Sequence, residues 1–179
     1  MLRMDKFTIK VQEALVEAKG LAEQNNNQQI EASHIFHALL NQHDGITIPI
    51  FQKLGVNPNI LINEIKNELD RIPKVTGYAS ESLLSPSLKN IIEKAWNEAE
   101  KLKDEYLSVE HILLAIADTP HDPTGRILQR YGITIDRIKR ALLEVRGNVC
   151  VTDQNPEAKY QALEKYARDL TELARRDKL

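Results

Sequence analysis

Apolar residues recur three and four positions apart over long stretches of the chain, the spacing of one face of an α-helix. Phe7, Val11, Leu15, Ala18 and Ala22 form one such stripe, and Leu88, Ile92, Ala95, Ala99 and Leu102 form another. Both predict long amphipathic helices. Ser85-Pro86 is a good start for the second, because a capping serine is followed by a proline at the first turn. After each long helix comes a short, almost wholly apolar one, "IEASHIFHALL" (30–40) and "LSVEHILLAIA" (107–117). The first begins near Ser33, which stands in a capping position, and the second near Ser108, with His111 three residues on. Two further helices end at Leu54-Gly55 and Tyr131-Gly132, where glycine suits a left-handed C-cap. A last pair starts around Asn57-Pro58 and Thr134 and runs to about Leu69 and Val145.

These elements are two copies of one pattern. With His34 placed over His111, 77 positions on, Ala18 meets Ala95, Ala22 meets Ala99, Ile35 meets Ile112, Ile50 meets Ile127 and Gly55 meets Gly132. One ungapped register over about fifty positions indicates an internal duplication. Two copies are too few for a solenoid, so the expected fold is all-α: two four-helix units, about eight helices, related by a pseudo-twofold and sharing one core. The repeats span about 6–70 and 83–146, within a domain of 1–146. Between them, 71–85 contains Pro73, Gly77 and small polar residues and reads as a loop. Residues 147–158 have no helical period and read as a flexible linker. From 159 to 179 the pattern turns helical again, with Leu163, Tyr166, Leu170 and Leu173 on one face.

Composition agrees: 42% hydrophobic, 28% charged, seven glycines and seven prolines suit a globular helical domain. The net charge of −2 gives no basic field for nucleic acid or an anionic membrane. No window is apolar enough for a membrane span, and the N-terminus lacks an export signal. Cys150 is the only cysteine, which precludes an internal disulfide and points to a reducing cytosol. It lies in a polar stretch near Arg146 and reads as incidental.

Candidate chemistry is sparse. His34-x-x-His37 could be half of a metal site, but His37 becomes Leu114 in the second copy, and neither ligand-spaced cysteines nor H-E-x-x-H accompany it. The simpler reading is that His34 and His111 start equivalent helices and hydrogen-bond locally. No phosphate-binding loop, G-x-S-x-G or G-x-G-x-x-G is present, so neither a catalytic residue nor a cofactor is expected in this stretch. Trp96 replaces Lys19 of the first copy, and is either an exposed apolar anchor or a partly buried side chain.

The doubled unit carrying "EASHIFHALL" and "SVEHILLAI" resembles the Clp repeat, the N-terminal domain of the Clp family of AAA+ unfoldases. The resemblance covers Lys6 to about Arg146. "RIPKV" between the repeats and the tail "VTDQNPEAKYQALEKYARDLTELARRDKL" resemble the protein-disaggregase branch of that family, though Asp177 and "NVC" depart from its pattern. The resemblance implies a substrate-recognition domain at the front of a longer chaperone of the stress response. Residues 159–179 would then begin a first nucleotide-binding domain whose Walker motifs, with ATP and Mg, lie further on. Implied partners are unfolded or aggregated polypeptides and a DnaK-type chaperone system. A homo-hexamer would form through the ATPase domains, residues 1–179 by themselves being monomeric. By the family pattern, Thr8, Asp104 and Glu110 border the client groove on one surface; the alternative is that Thr8 merely caps a turn and the two acids are solvated. An alternative function is the adaptor-docking domain of a ClpC- or ClpA-type unfoldase in a proteolytic complex.

Overall fold

In the computed structural model, residues 3–77, 81–147, 149–158 and 160 are described. The fold among them is all-α. A 3-10 turn, Met4–Lys6, leads into α1 (Ile9–Gln24). Then follow α2 (Ala32–Leu40), α3 (Thr47–Lys53), α4 (Pro58–Arg71), α5 (Pro86–Lys101), α6 (Val109–Ala117), α7 (Pro123–Arg130) and α8 (Ile135–Arg146). The helices α1–α4 and α5–α8 are the two repeats. None is long and apolar enough to cross a membrane.

The long helices are amphipathic and each packs on the short helix that follows it, α1 on α2 and α5 on α6. Their contact faces are rich in alanine: Ala14, Ala18 and Ala22 in α1, Ala95 and Ala99 in α5, all buried. Small side chains let the axes come close. The short helices are buried almost all round, which explains their lack of a polar face. Leu113, Leu114 and Ile116 of α6 and Ile35, Phe36 and Leu39 of α2 form the middle of a single shared core.

Helix ends follow the sequence signals with one correction. Thr8 and Ser85 cap α1 and α5 by accepting the N–H of Val11 and Leu88. Gly55 and Gly132 follow the ends of α3 and α7 with φ of 74° and 68°, a left-handed turn that glycine enters without a Cβ penalty. Ser33, however, does not cap α2. Glu31 does, and its repeat mate is Ser108, the cap of α6. The cap lies two residues before the serine because the carboxylate of Glu31 takes the part of the serine hydroxyl.

The histidines close these caps. The N–H of Glu31 donates to His34 Nδ1 at 2.8 Å, and the N–H of Ser108 to His111 Nδ1 at the same distance. Each ring therefore carries its proton on Nε2. His34 Nε2 donates to Asn27 Oδ1 (2.9 Å), and His111 Nε2 to Asp104 Oδ2 (2.7 Å). The local hydrogen-bonding role expected for both residues is the one observed. Burial, then the charge of His37, push the His34 ring down to about 4, which keeps it neutral.

The interrepeat stretch is not wholly loop. β1 (Gln29–Ile30) pairs in parallel with β2 (Leu83–Leu84). A parallel bridge between Phe7 and Leu107 is its pseudo-symmetric counterpart, since these residues are the repeat mates of Leu84 and Ile30. Two-residue strands are too short to leave a period in the sequence.

Candidate functional site

The Phe7–Leu107 bridge brings the N-terminus of α1 beside that of α6. The first N–H groups of a helix have no acceptor within it. Thr8, whose N–H donates to Leu107 O (3.0 Å), and Asp104, Glu110 and His111 all converge at this junction. The structure therefore unites Thr8, Asp104 and Glu110, but as a buried bed rather than the rim of an open groove. Thr8 and Glu110 are both 0% exposed, as is the Asp104 side chain.

The covering chain is the stretch expected to be a linker. Residues 149–158 lie along the junction, and Val151, Pro156 and Glu157 are buried. The N–H of Val151 donates to Asp104 Oδ1 (2.8 Å), and Val151 O accepts from the N–H of Glu105 (2.8 Å). Gln154 O accepts the N–H of Ile9 (2.8 Å), the first residue of α1. Glu157 Oε1 accepts the hydroxyl of Thr8 (3.0 Å) and the N–H of Val109 (3.4 Å), the first residue of α6. The physical reason for the departure from a free linker is this set of polar bonds, which hydrophobic periodicity does not register. Cys150 is exposed, with Sγ 3.8 Å from Leu102 O. The helix expected over 159–179 lies outside the described residues except for Tyr160, which is buried.

Beneath this stretch sits Arg146, at the end of α8, a site residue that no motif in the sequence singles out. Its guanidinium donates to Asp104 Oδ2 (2.9 Å) and Oδ1 (2.6 Å) and to Glu110 Oε1 (2.9 Å), and its Nε to Val149 O (3.0 Å). Burial alone would raise the Asp104 carboxyl. The bonds from His111, Arg146 and the Val151 N–H outweigh it and hold the group at about 2. Arg146, despite burial, is held above its ordinary value by Asp104 and Glu110. Glu157 behaves oppositely: burial, then the charge of Glu110, push it up to about 7. Glu110 Oε2, Glu157 Oε2 and the Tyr160 hydroxyl have no hydrogen-bond partner among the described residues.

Asp104, Glu110 and His111 place ligand-capable atoms within 4.8 Å of one another. The Arg146 guanidinium lies on the two carboxylates, so the positive charge such a donor set attracts comes from the protein itself. Trp96 on α5 is half-buried, its ring 5.8 Å from that of Phe7, the residue before Thr8.

The pseudo-symmetric place in repeat one has the same geometry without the charges. Asn27, Ser33 and Leu69 stand where Asp104, Glu110 and Arg146 stand in repeat two. There too a stretch of chain crosses: Asn27 bridges to Lys74 and its Nδ2 donates to Pro73 O (3.3 Å). Comparing the copies for positions where a neutral residue becomes charged is the signal that would have found Arg146.

The Clp repeat (R) N-terminal domain family matches residues 6–131, and the chain belongs to that family. It is 40% identical over 170 residues to the chaperone protein ClpB of Bacillus anthracis, a match covering 93% of this chain and 20% of that protein. The chain thus spans about a fifth of the length of the curated relatives it matches. Among solved structures, the Hsp104 N-terminal domain from Candida albicans superposes with a TM-score of 0.70 at 23% identity, covering 83% of this chain and 97% of that one. A ClpV N-domain in complex with a VipB peptide superposes at 0.65 and 16% identity, covering 83% and 91%. At these identities the structural likeness establishes the fold.

Proposed function

We propose that this chain is the client-recognition domain of an ATP-dependent protein disaggregase. It binds exposed apolar segments of unfolded or aggregated polypeptide and delivers them to a hexameric AAA+ ring, in the cytoplasm and together with a DnaK-type chaperone. One observation carries the reading. The junction of α1 and α6 already holds a stretch of polypeptide, 151–157, through main-chain bonds at Ile9 and Glu105, the buried side chains of Val151 and Pro156, and the Glu157 carboxyl. Main-chain recognition with few side-chain demands suits a binder of many sequences. The similarity to ClpB chaperones supports the assignment, and the peptide held by the ClpV N-domain supports a peptide-binding role for the fold.

In this reading the domain performs no chemistry, and nucleotide is bound and hydrolysed elsewhere in the longer protein. Titration of the chain with unfolded casein, followed by amide chemical shifts, tests the proposal. Shifts clustered at Thr8, Asp104 and Glu110 are expected, with affinity of tens of micromolar or weaker, as an order of magnitude, because ordering a flexible chain offsets much of the contact energy. Absence of shifts at high micromolar casein, or micromolar binding of ATP to the chain by calorimetry, would count against it.

A further inference from the structure

We infer that residues 151–157 are an internal ligand of the α1–α6 junction, and that the partner this surface fits is a segment carrying an aliphatic residue and, six positions further on, a carboxyl or amide side chain. The inference rests on the recognition role proposed above and specifies its ligand.

The fit is read from which groups are used. Both main-chain groups of Val151 are bonded, its N–H to the Asp104 carboxylate and its carbonyl by the N–H of Glu105. Its side chain is fully buried. Further along, Gln154 O and Glu157 Oε1 meet the free N–H groups of Ile9 and Val109, one at the start of each helix. Acceptors are what two helix N-termini require. Between the two anchors Thr152, Gln154 and Asn155 are exposed, the Gln154 amide donating to Asp5 O (3.1 Å), and Pro156 is buried.

The internal ligand is also built to leave. Glu157 is buried beside Glu110, with one oxygen lacking a partner among the described residues, and its raised pKa reflects the cost of that position. A tethered segment competes at an effective concentration of roughly millimolar. A client with the same pattern and a neutral amide in place of Glu157 has the advantage over it.

The test uses the full chain. Cys150 is exposed and is the only cysteine, so a spin label there reports whether the segment is seated. The probe is a synthetic peptide, SVTDQNPEAKY, copying residues 150–160 with serine for cysteine. Val151→Asp is expected to free the label and to raise affinity for the peptide by about tenfold or more, with shifts at the Ile9, Glu105 and Val109 amides. The same peptide with aspartate in place of its valine should not bind. If Val151→Asp frees the label yet binds the peptide no more tightly than the parent chain, the inference is overturned. Should that variant fail to fold, the parent chain decides: saturating casein should mobilise the label. Casein bound with the label still immobile overturns the inference and leaves the recognition role standing, and absence of casein binding overturns both. Glu157→Gln is expected to immobilise the label further at pH 8, and greater mobility would contradict the role given to its carboxyl oxygen.

Discussion

Arg146 grips both oxygens of Asp104, at 2.6 and 2.9 Å, at positions that the repeat register matches to Leu69 and Asn27. A duplication that kept its helices has thus exchanged a neutral pair for a buried ion pair in one copy only. Breaking a buried pair leaves an uncompensated charge, whereas replacing the whole set can be neutral. Arg146→Met should therefore cost roughly 3–5 kcal/mol in urea denaturation. The triple change Asp104→Asn, Glu110→Ser, Arg146→Leu, which copies repeat one into repeat two, should restore most of that loss. A triple variant no more stable than Arg146→Met would contradict the symmetry argument.

Glu157 predicts a dependence on pH near neutrality. It faces Thr8 and the Val109 N–H, with Glu110 and Tyr160 beside it and Arg146 and Asp104 beyond, bonded to one another and through Arg146 to Glu110. Seated, it keeps its proton up to about pH 7; released, it titrates near its ordinary 4.5. The seated state then binds the extra proton between those values, so seating is fully favoured below about 4.5 and weakens as pH rises to about 7. The effect across that window is about 3 kcal/mol. Mobility of a label on Cys150 should rise through it in the parent chain and stay flat in Glu157→Gln.

Asp104 predicts the opposite slope at lower pH. Its carboxyl is held at about 2 against an ordinary 3.8, so its contribution is complete above 3.8 and is lost as pH falls toward 2. Thermal unfolding followed by circular dichroism should show stability declining more steeply between about pH 4 and 2 in the parent chain than in Asp104→Asn.

Gly125 predicts a steric cost unrelated to binding. A Cβ added there would lie 1.9 Å from the carbonyl oxygen of Thr119 and 2.9 Å from that of Ile116, the backbone that ends α6. Neither atom can rotate away, so α7 must move. Gly125→Ala should destabilise by about 1–3 kcal/mol or more. Gly20, whose added Cβ would meet nothing within 4 Å, is the control and should gain from the better helix propensity of alanine.

The architecture was legible because repetition doubles every signal. The offset that superposes His34 on His111 also superposes the helix faces and the glycines after α3 and α7, and the histidines' local role followed from their equivalence. The site was legible only in part. Thr8, Asp104 and Glu110 meet at one junction, but buried rather than along an open groove, and nothing in the pattern distinguishes a buried acid from a solvated one. Arg146 looks like any basic residue in a last helical turn. Residues 149–158 offer only Val151 and Pro156 as buried apolar side chains and otherwise dock through main-chain groups, Gln154 and Glu157, so hydrophobic periodicity is blind to them. Trp96, left open between anchor and core, is half-buried against Phe7.

The seated segment also has a mechanical direction. Its bonds run in order along the chain, from Arg146 and Asp104 at Val149 and Val151, through Ile9 at Gln154, to Thr8 and Val109 at Glu157. Tension applied beyond Glu157 and directed away from the surface would load them one after another, like a zip opened from its end, rather than all at once in shear. Such a clasp yields to a smaller pull than bonds loaded together, because its opening force would be set by the strongest single bond in the row rather than by their sum.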